Sequence, residues 1–228
     1  MLFAVKMACG IAGLAMPVCA NGLVLSFLVL SCLLWAVMGI LTFDMGSSRM
    51  SPGSVLPPLD TPRLLIRQRT LADLEDCIAM DRDPEVTRYI KGPWNDPVEH
   101  RRFVEFRITR PYPPGLGYWS IRERCAPEKF VGWVLLIPDH GVGPEVEIGW
   151  RLVREAWGRG IASEAAEALV AHAFGTIGLP RVIADIASGN VASKRVAVKL
   201  GMRWVEQVEE EGARYERYRV EREGLRVG

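Results

Sequence analysis

Between Glu145 and Ala162 the chain reads E-V-E-I-G-W-R-L-V-R-E-A-W-G-R-G-I-A: an alternating strand, a short polar link and a glycine turn that opens directly onto a helix. Such a turn is an anion cradle. Glycines let the backbone curl close to a ligand, and the first free N–H groups of the helix point at that ligand with the helix dipole behind them. The group to expect there is a phosphate or pyrophosphate. Downstream, Asn190-x-x-Ser193 repeats the arrangement on a smaller scale, with two polar side chains at the mouth of a second helix.

Gly158-x-Gly160-x-x-Ser163 also resembles a dinucleotide fingerprint, with Asp185 at a fitting distance downstream. The third glycine is absent, however. Arg154–Ala156 separates strand from turn, and no second mononucleotide half fits in the remaining chain. No G-x-x-x-x-G-K-[ST] occurs, which argues against a nucleoside triphosphatase. The cysteines of the folded part, Cys77 and Cys125, match no metal spacing. His100, His140 and His172 are scattered and read as surface or packing residues, so no metal site is expected.

The elements that must position the cradle follow from caps and periodicity. Arg63–Arg69 alternates as a strand, and Thr70 with Asp73 opens a helix across Leu71–Asp81. Asp83-Pro84 interrupts it, and Glu85–Ile90 adds another helical turn. Asp96-Pro97 reads as N-cap plus first-turn proline for a helix to about Thr109. Gly117–Arg124, Phe130–Ile137 and Glu145–Val153 are strands. Ile161–Phe174 is a helix, Arg181–Ala187 a strand, Asn190–Leu200 a helix, and Met202–Val208 with Tyr215–Val220 a final strand pair. The stretch strand, glycine turn, helix, strand is one βαβ unit, which needs parallel pairing. The expected fold is therefore α/β of mixed α+β kind: one domain, a twisted mixed sheet of about six or seven strands, and about four flanking helices.

With 28 basic and 27 acidic residues the net charge is +1, which does not suggest a nucleic-acid binder and favours a small-molecule or local peptide site. Residues 1–44 form an apolar leader, 45–60 a Pro/Ser/Gly-rich linker and 61–228 the folded domain. Gly22–Phe43 is as long as the ~20 residues that a bilayer-spanning helix needs. Three origins compete. A signal peptide fits least well, because the run is long and no convincing small-residue cleavage site follows Phe43. A genuine anchor and a start site placed too early, with Met45 or Met50 as the real beginning, stay level. The domain is expected in the cytoplasm, tethered through residues 22–43 if that segment is genuine.

Four features together resemble the GCN5-related N-acetyltransferase (GNAT) superfamily, and within it the branch of ribosomal-protein N-terminal acetyltransferases: Glu147-Ile-Gly-Trp150, Trp157-Gly-Arg-Gly-Ile-Ala162, Asn190-x-x-Ser193 and Lys199-Leu-Gly-Met202. The resemblance covers Thr61 to the C-terminus. Trp157 departs from the Gln/Arg usual at the head of the family's phosphate loop. The resemblance implies acetyl-CoA as co-substrate, its pyrophosphate held by backbone N–H groups of Gly158, Arg159, Gly160, Ile161, Ala162 and Ser163, with Arg159 adding charge. It implies that Leu152 and Val153 form a splayed edge for the pantetheine arm, with the Val153 N–H as oxyanion donor and Asn190 opposite.

An amine must lose a proton before attack, and the departing thiolate needs a proton or hydrogen bond. Glu147 is the expected base, with Glu145 as fallback. Ser193 and Tyr215, or Tyr218, compete for the acid. Trp94, Tyr89 and Trp119 could line an acceptor pocket but more simply pack a core. The reading is direct attack in a ternary complex on a protein N-terminus or small-molecule amine. The alternative is a non-catalytic acetyl-CoA-binding or membrane-tethered module. Homodimerisation stays open.

Overall fold

The computed structural model describes residues 55–210 and 212–224. Eight strands form one sheet: β1 (Leu59–Asp60), β2 (Leu64–Gln68), β3 (Gly117–Glu123), β4 (Ala126–Pro138), β5 (Val146–Leu152), β6 (Arg181–Ala187), β7 (Arg203–Glu210) and β8 (Ala213–Glu221), in the order β1-β2-β3-β4-β5-β6-β8-β7. Among the described residues the five α-helices are α1 (Leu74–Asp81), α2 (Pro84–Thr87), α3 (Pro97–Thr109), α4 (Ile161–Ala171) and α5 (Val191–Lys199). The sheet is thus one to two strands wider than the sequence predicts. The short β1 lies inside the stretch read as linker, and Leu56 before it is already buried in the core. The candidate membrane segment, residues 22–43, lies outside the described residues; among those described, no helix is long and apolar enough to cross a membrane.

Helices cover both faces of the sheet. Ile161, Ala165 and Leu169 of α4, Val196 and Ala197 of α5 and Leu200 just after it pack against Ile148, Trp150, Val182 and Ile186. Alanines on α4 let its axis lie close to the strands. On the other face, Leu74, Cys77 and Ile78 of α1 and Val104 of α3 pack against Tyr118, Trp133, Leu135 and Ile137. α3 starts where the sequence places it, because the Asp96 carboxylate accepts the Val98 and Glu99 N–H groups at 2.9 and 3.1 Å and Pro97 follows. Past Ala171 the α4 ladder widens into a π-type segment, His172–Ile177, that ends at Gly178 with φ +78°.

One junction sets up the site. β5 is buried along all seven residues and pairs antiparallel with β4 from Val146 to Leu152. Its partner on the other side, β6, runs parallel, as the βαβ reading requires, but the two strands register only at Glu147 with Ile183. Beyond that pair they diverge. The gap opens toward Leu152, where α4 and α5 begin.

Candidate active site

At the mouth of the gap lies a cleft of about 250 Å³ lined by Leu152, Ala156, Trp157, Gly158, Gly160, Ile161, Ala162, Ser163, Ala192, Arg195, Val196 and Lys199. Gly160 sits at φ +79° as the N-cap of α4 and offers no side-chain hydrogen bond. The first helical bond runs from Glu164 N–H to the Gly160 carbonyl, 3.1 Å, so the Ile161, Ala162 and Ser163 N–H groups stand at the open helix end. A Cβ on Gly158, at φ +72°, would meet nothing within 4 Å, so the turn needs glycine for its backbone angle and leaves the space above it clear. The glycine turn opens onto the helix at the position the sequence indicates.

Its charge comes from elsewhere. Arg159 turns away from the cleft and pairs with Glu123 on β3 at 2.5 Å. The cations that line the cleft are Arg195 and Lys199, four residues apart and exposed on the cleft side of α5. Their i, i+4 spacing after Asn190 was a readable signal. Trp157, at the head of the loop, donates its indole N–H to the Leu152 carbonyl at 3.0 Å and so ties the loop to the end of β5. That bond gives the tryptophan a structural use in place of the usual Gln or Arg.

The Val153 N–H donates to the Val131 carbonyl of the β4 side, 3.1 Å away, and cannot serve as oxyanion donor. Successive strand amides alternate in direction, which turns the Leu152 N–H toward the gap instead. Leu152 also lines the cleft, whereas Val153 lines a separate cavity on the other side. Asn190 is buried and caps α5, its Oδ1 accepting the Ser193 N–H at 3.1 Å. Ser193 is fully buried. Neither belongs to the lining of the cleft, so the pair sets the direction of α5, whose outer face then presents Arg195 and Lys199.

Glu147 is buried opposite Ile137 at the closed end of the gap, on the face that carries α1 and α3. Tyr215 is buried on the same face, opposite Ala187 at the open end. The two candidates for proton transfer therefore share a face but not a level. Tyr218 points to the other face, its hydroxyl 3.2 Å from Glu216, and burial with that carboxylate raises its pKa. Glu145 is held by Arg181 at 2.7 Å, a hydrogen bond that keeps its carboxyl below the usual range. Trp119 and Trp94 are packing residues: Trp119 is fully buried, and Trp94 stands edge-on to His100 and Phe103. Cys77 is buried, which pushes its thiol up to about 11, the opposite of what a nucleophile needs.

Sequence reasoning missed a buried charge cluster. Asp81 of α1 accepts from Arg151 of β5 at 2.5 Å and lies 3.4 Å from His100 of α3. Burial pushes Asp81 up; Arg151 and His100 more than offset this and hold it below the ordinary range. The three residues come from distant segments, so no local pattern announces them. The separate cavity at Val153, one residue past the cleft's Leu152, measures about 430 Å³ and is lined by Asp76, Asp83, Glu128, Glu155, Lys129, Arg154 and Val153 among others.

A family model described as an acetyltransferase (GNAT) domain matches residues 63–203. The chain belongs to the GNAT acetyltransferase family. An uncharacterised N-acetyltransferase of Bacillus subtilis, YoaA, is 31% identical over 64% of this chain and 83% of its own length. A second one from that organism, YnaD, is 42% identical over 64% of this chain and 82% of its own length. Among solved structures, a RimL ribosomal L7/L12 α-N-protein acetyltransferase in complex with coenzyme A superposes with a TM-score of 0.59, covering 72% of this chain and 98% of that one, at 18% identity. The last similarity concerns the fold. GNAT enzymes use acetyl-CoA, and the open helix end and flanking cations described above fit its anionic half. Among the described residues, no group of three or more His, Cys, Asp or Glu side chains is placed to hold a metal ion.

Proposed function

We propose that this GNAT domain transfers an acetyl group from acetyl-CoA to a primary amine by direct attack in a ternary complex. The observation that carries the reading is the cleft where β5 leaves β6: an uncapped helix end with Arg195 and Lys199 beside it, leading to the Leu152 amide. Acetyl-CoA supplies an acyl group already activated as a thioester, so alignment of two reactants accounts for much of the rate. The amides of Gly158 to Ser163 hold the pyrophosphate, with Arg195 and Lys199 adding charge. The Leu152 N–H stabilises the carbonyl oxygen as charge builds on it.

The acceptor enters from the opposite side, through the cavity at Val153. Its lining carries four carboxylates, Asp76, Asp83, Glu128 and Glu155, against two cations, Lys129 and Arg154. Arg154 is paired with Asp83 at 2.8 Å, and Asp76 is held by Arg122 at 3.0 Å, which leaves Glu128 and Glu155 against the single cation Lys129 to attract an ammonium group. This charge favours a protein N-terminus or a cationic small molecule. Glu147 lies five residues before Leu152, roughly 17 Å along the strand, so it accepts the amine proton through a chain of water. Tyr215, at the level of the open gap, is the group to protonate the leaving sulfur.

The test is calorimetry with coenzyme A followed by acetyl transfer to a panel of peptides and polyamines. Saturable binding and turnover with cationic acceptors are expected, and a protein indifferent to coenzyme A sinks the proposal. Glu147→Gln should lower kcat and move its pH profile while the KM for acetyl-CoA stays put. An unmoved pH profile would remove Glu147 as the base.

A further inference from the structure

A second cavity, of about 310 Å³, opens where the end of α3 meets the start of β3 and the end of β2. It shares no lining residue with the acetyl-CoA cleft. Along β3, its Gly117 stands four residues before Ile121, which pairs with Gly132 and through it with Leu152. That is roughly 13 Å along the strand direction, and the cavity lies toward the β2 side of the sheet. It is a separate place.

Its lining contains three arginines, Arg69, Arg107 and Arg110, and no carboxylate. Arg69 and Arg107 are each more than nine-tenths buried. The nearby buried acids are engaged: Asp81 by Arg151 and His100, and Asp73 by Arg67 and Arg122. Arg69 packs its guanidinium 3.8 Å over the Tyr118 ring, and no protein acceptor meets its Nε or Nη2. Those two nitrogens form the edge by which Arg217, Arg181 and Arg154 grip Asp185, Glu145 and Asp83 in this same protein. It is the bidentate edge that suits an oxyanion. Burial holds Arg107 below the ordinary arginine range, and the charges of Arg151 and Arg69 add to that. The C-terminal dipole of α3 favours a cation only weakly, which does not balance the buried Arg69 guanidinium with its Nε and Nη2 unmet.

Beside the polar Gln68 and Thr109, the lining carries an apolar and aromatic wall of Leu56, Ile108, Leu116, Tyr112 and Tyr118. The geometry points to a binding site for a small organic oxyanion, whose charged group faces Arg69, Arg107 and Arg110 while its carbon body lies against Leu56, Leu116 and Tyr118. Carboxylate and phosphate share this chemistry. The cavity is independent of the acetyl-transfer reading, since its occupant neutralises arginines that the cleft does not use.

Titration calorimetry on the full chain, without acetyl-CoA, tests it with four probes: benzoate, phenyl phosphate, inorganic phosphate and neutral benzyl alcohol. Benzoate or phenyl phosphate should bind saturably, and whichever binds tighter identifies the natural charged group. Inorganic phosphate should bind more weakly than the aromatic anions, and benzyl alcohol not at all. Arg69→Met, which keeps an unbranched side chain and removes the guanidinium, should abolish binding. Arg110→Ala, at a half-exposed position, should weaken it about tenfold. Two results overturn the site: none of the anions binds, or they bind and neither substitution weakens them. Binding lost in an Arg195→Ala/Lys199→Ala variant but kept in Arg69→Met would place the anion in the coenzyme cleft and equally refute it.

Discussion

Asp81 shows how much a single residue can hold in this fold. Its carboxylate is the partner of the fully buried Arg151, and it joins α1, α3 and β5. Replacing it with asparagine keeps the shape and removes the charge, which strands Arg151 in the interior. Asp81→Asn should cost about 3–5 kcal/mol, read as a lower urea midpoint with an unchanged slope. A smaller loss would mean that the guanidinium finds another acceptor. Arg195 and Lys199 are the opposite case, exposed and without structural duty in the core. Substituting both by alanine should raise the KM for acetyl-CoA roughly tenfold, or 1.4 kcal/mol, leave kcat near its starting value, and have a smaller effect at high salt. A change in kcat alone would move them out of the phosphate site.

Elements differ in how openly the sequence declares them. Pro97–Thr109 and Arg181–Ala187 are legible to the residue, because the Asp96-Pro97 cap and a bounded Val/Ile run are local signals. β1 is not, since two residues in a proline-rich stretch become a strand only by pairing with Leu65 and Ile66. The glycine cradle is legible because its backbone angles demand glycine. The Leu152 and Val153 roles are not, because which strand amide faces the gap depends on the register with β4. That register has its own constraint at Gly132, with φ +146°, where an added Cβ would stand 2.1 Å from the Arg151 carbonyl. Gly132→Ala should therefore push β4 away from the end of β5, lose about 1–3 kcal/mol of stability and lower kcat as the Leu152 amide shifts. Gly175→Ala, where a Cβ meets nothing, is the control and should leave both unchanged. Equal effects at the two positions would show that close approach at Gly132 is not what matters.

Across the whole molecule, the near-zero net charge hides a set of arginine–carboxylate clamps, all but Arg67–Asp73 between segments far apart in sequence. Arg63 holds Glu164, Arg67 holds Asp73, Arg151 holds Asp81, Arg154 holds Asp83, Arg159 holds Glu123 and Arg181 holds Glu145. All six carboxyls lie below their ordinary range. In Asp83, Glu123 and Glu145 the arginine hydrogen bond is the leading cause; in Asp73, Asp81 and Glu164 burial opposes and the hydrogen bonds and charges overcome it. A carboxyl that is more acidic folded than unfolded adds stability above its unfolded pKa, about 4, and loses it as pH falls through the folded value. The melting temperature should accordingly hold near neutrality and drop below about pH 4. Salt separates the contributions, because it screens the clamps with exposed arginines but not Asp81 and Arg151, which are closed off from solvent. Thermal melts across pH at low and high salt should therefore share a salt-resistant acid transition, and Asp81→Asn should flatten it. If high salt erases the transition in the unmodified protein, the surface clamps carry the acid sensitivity and the buried cluster does not.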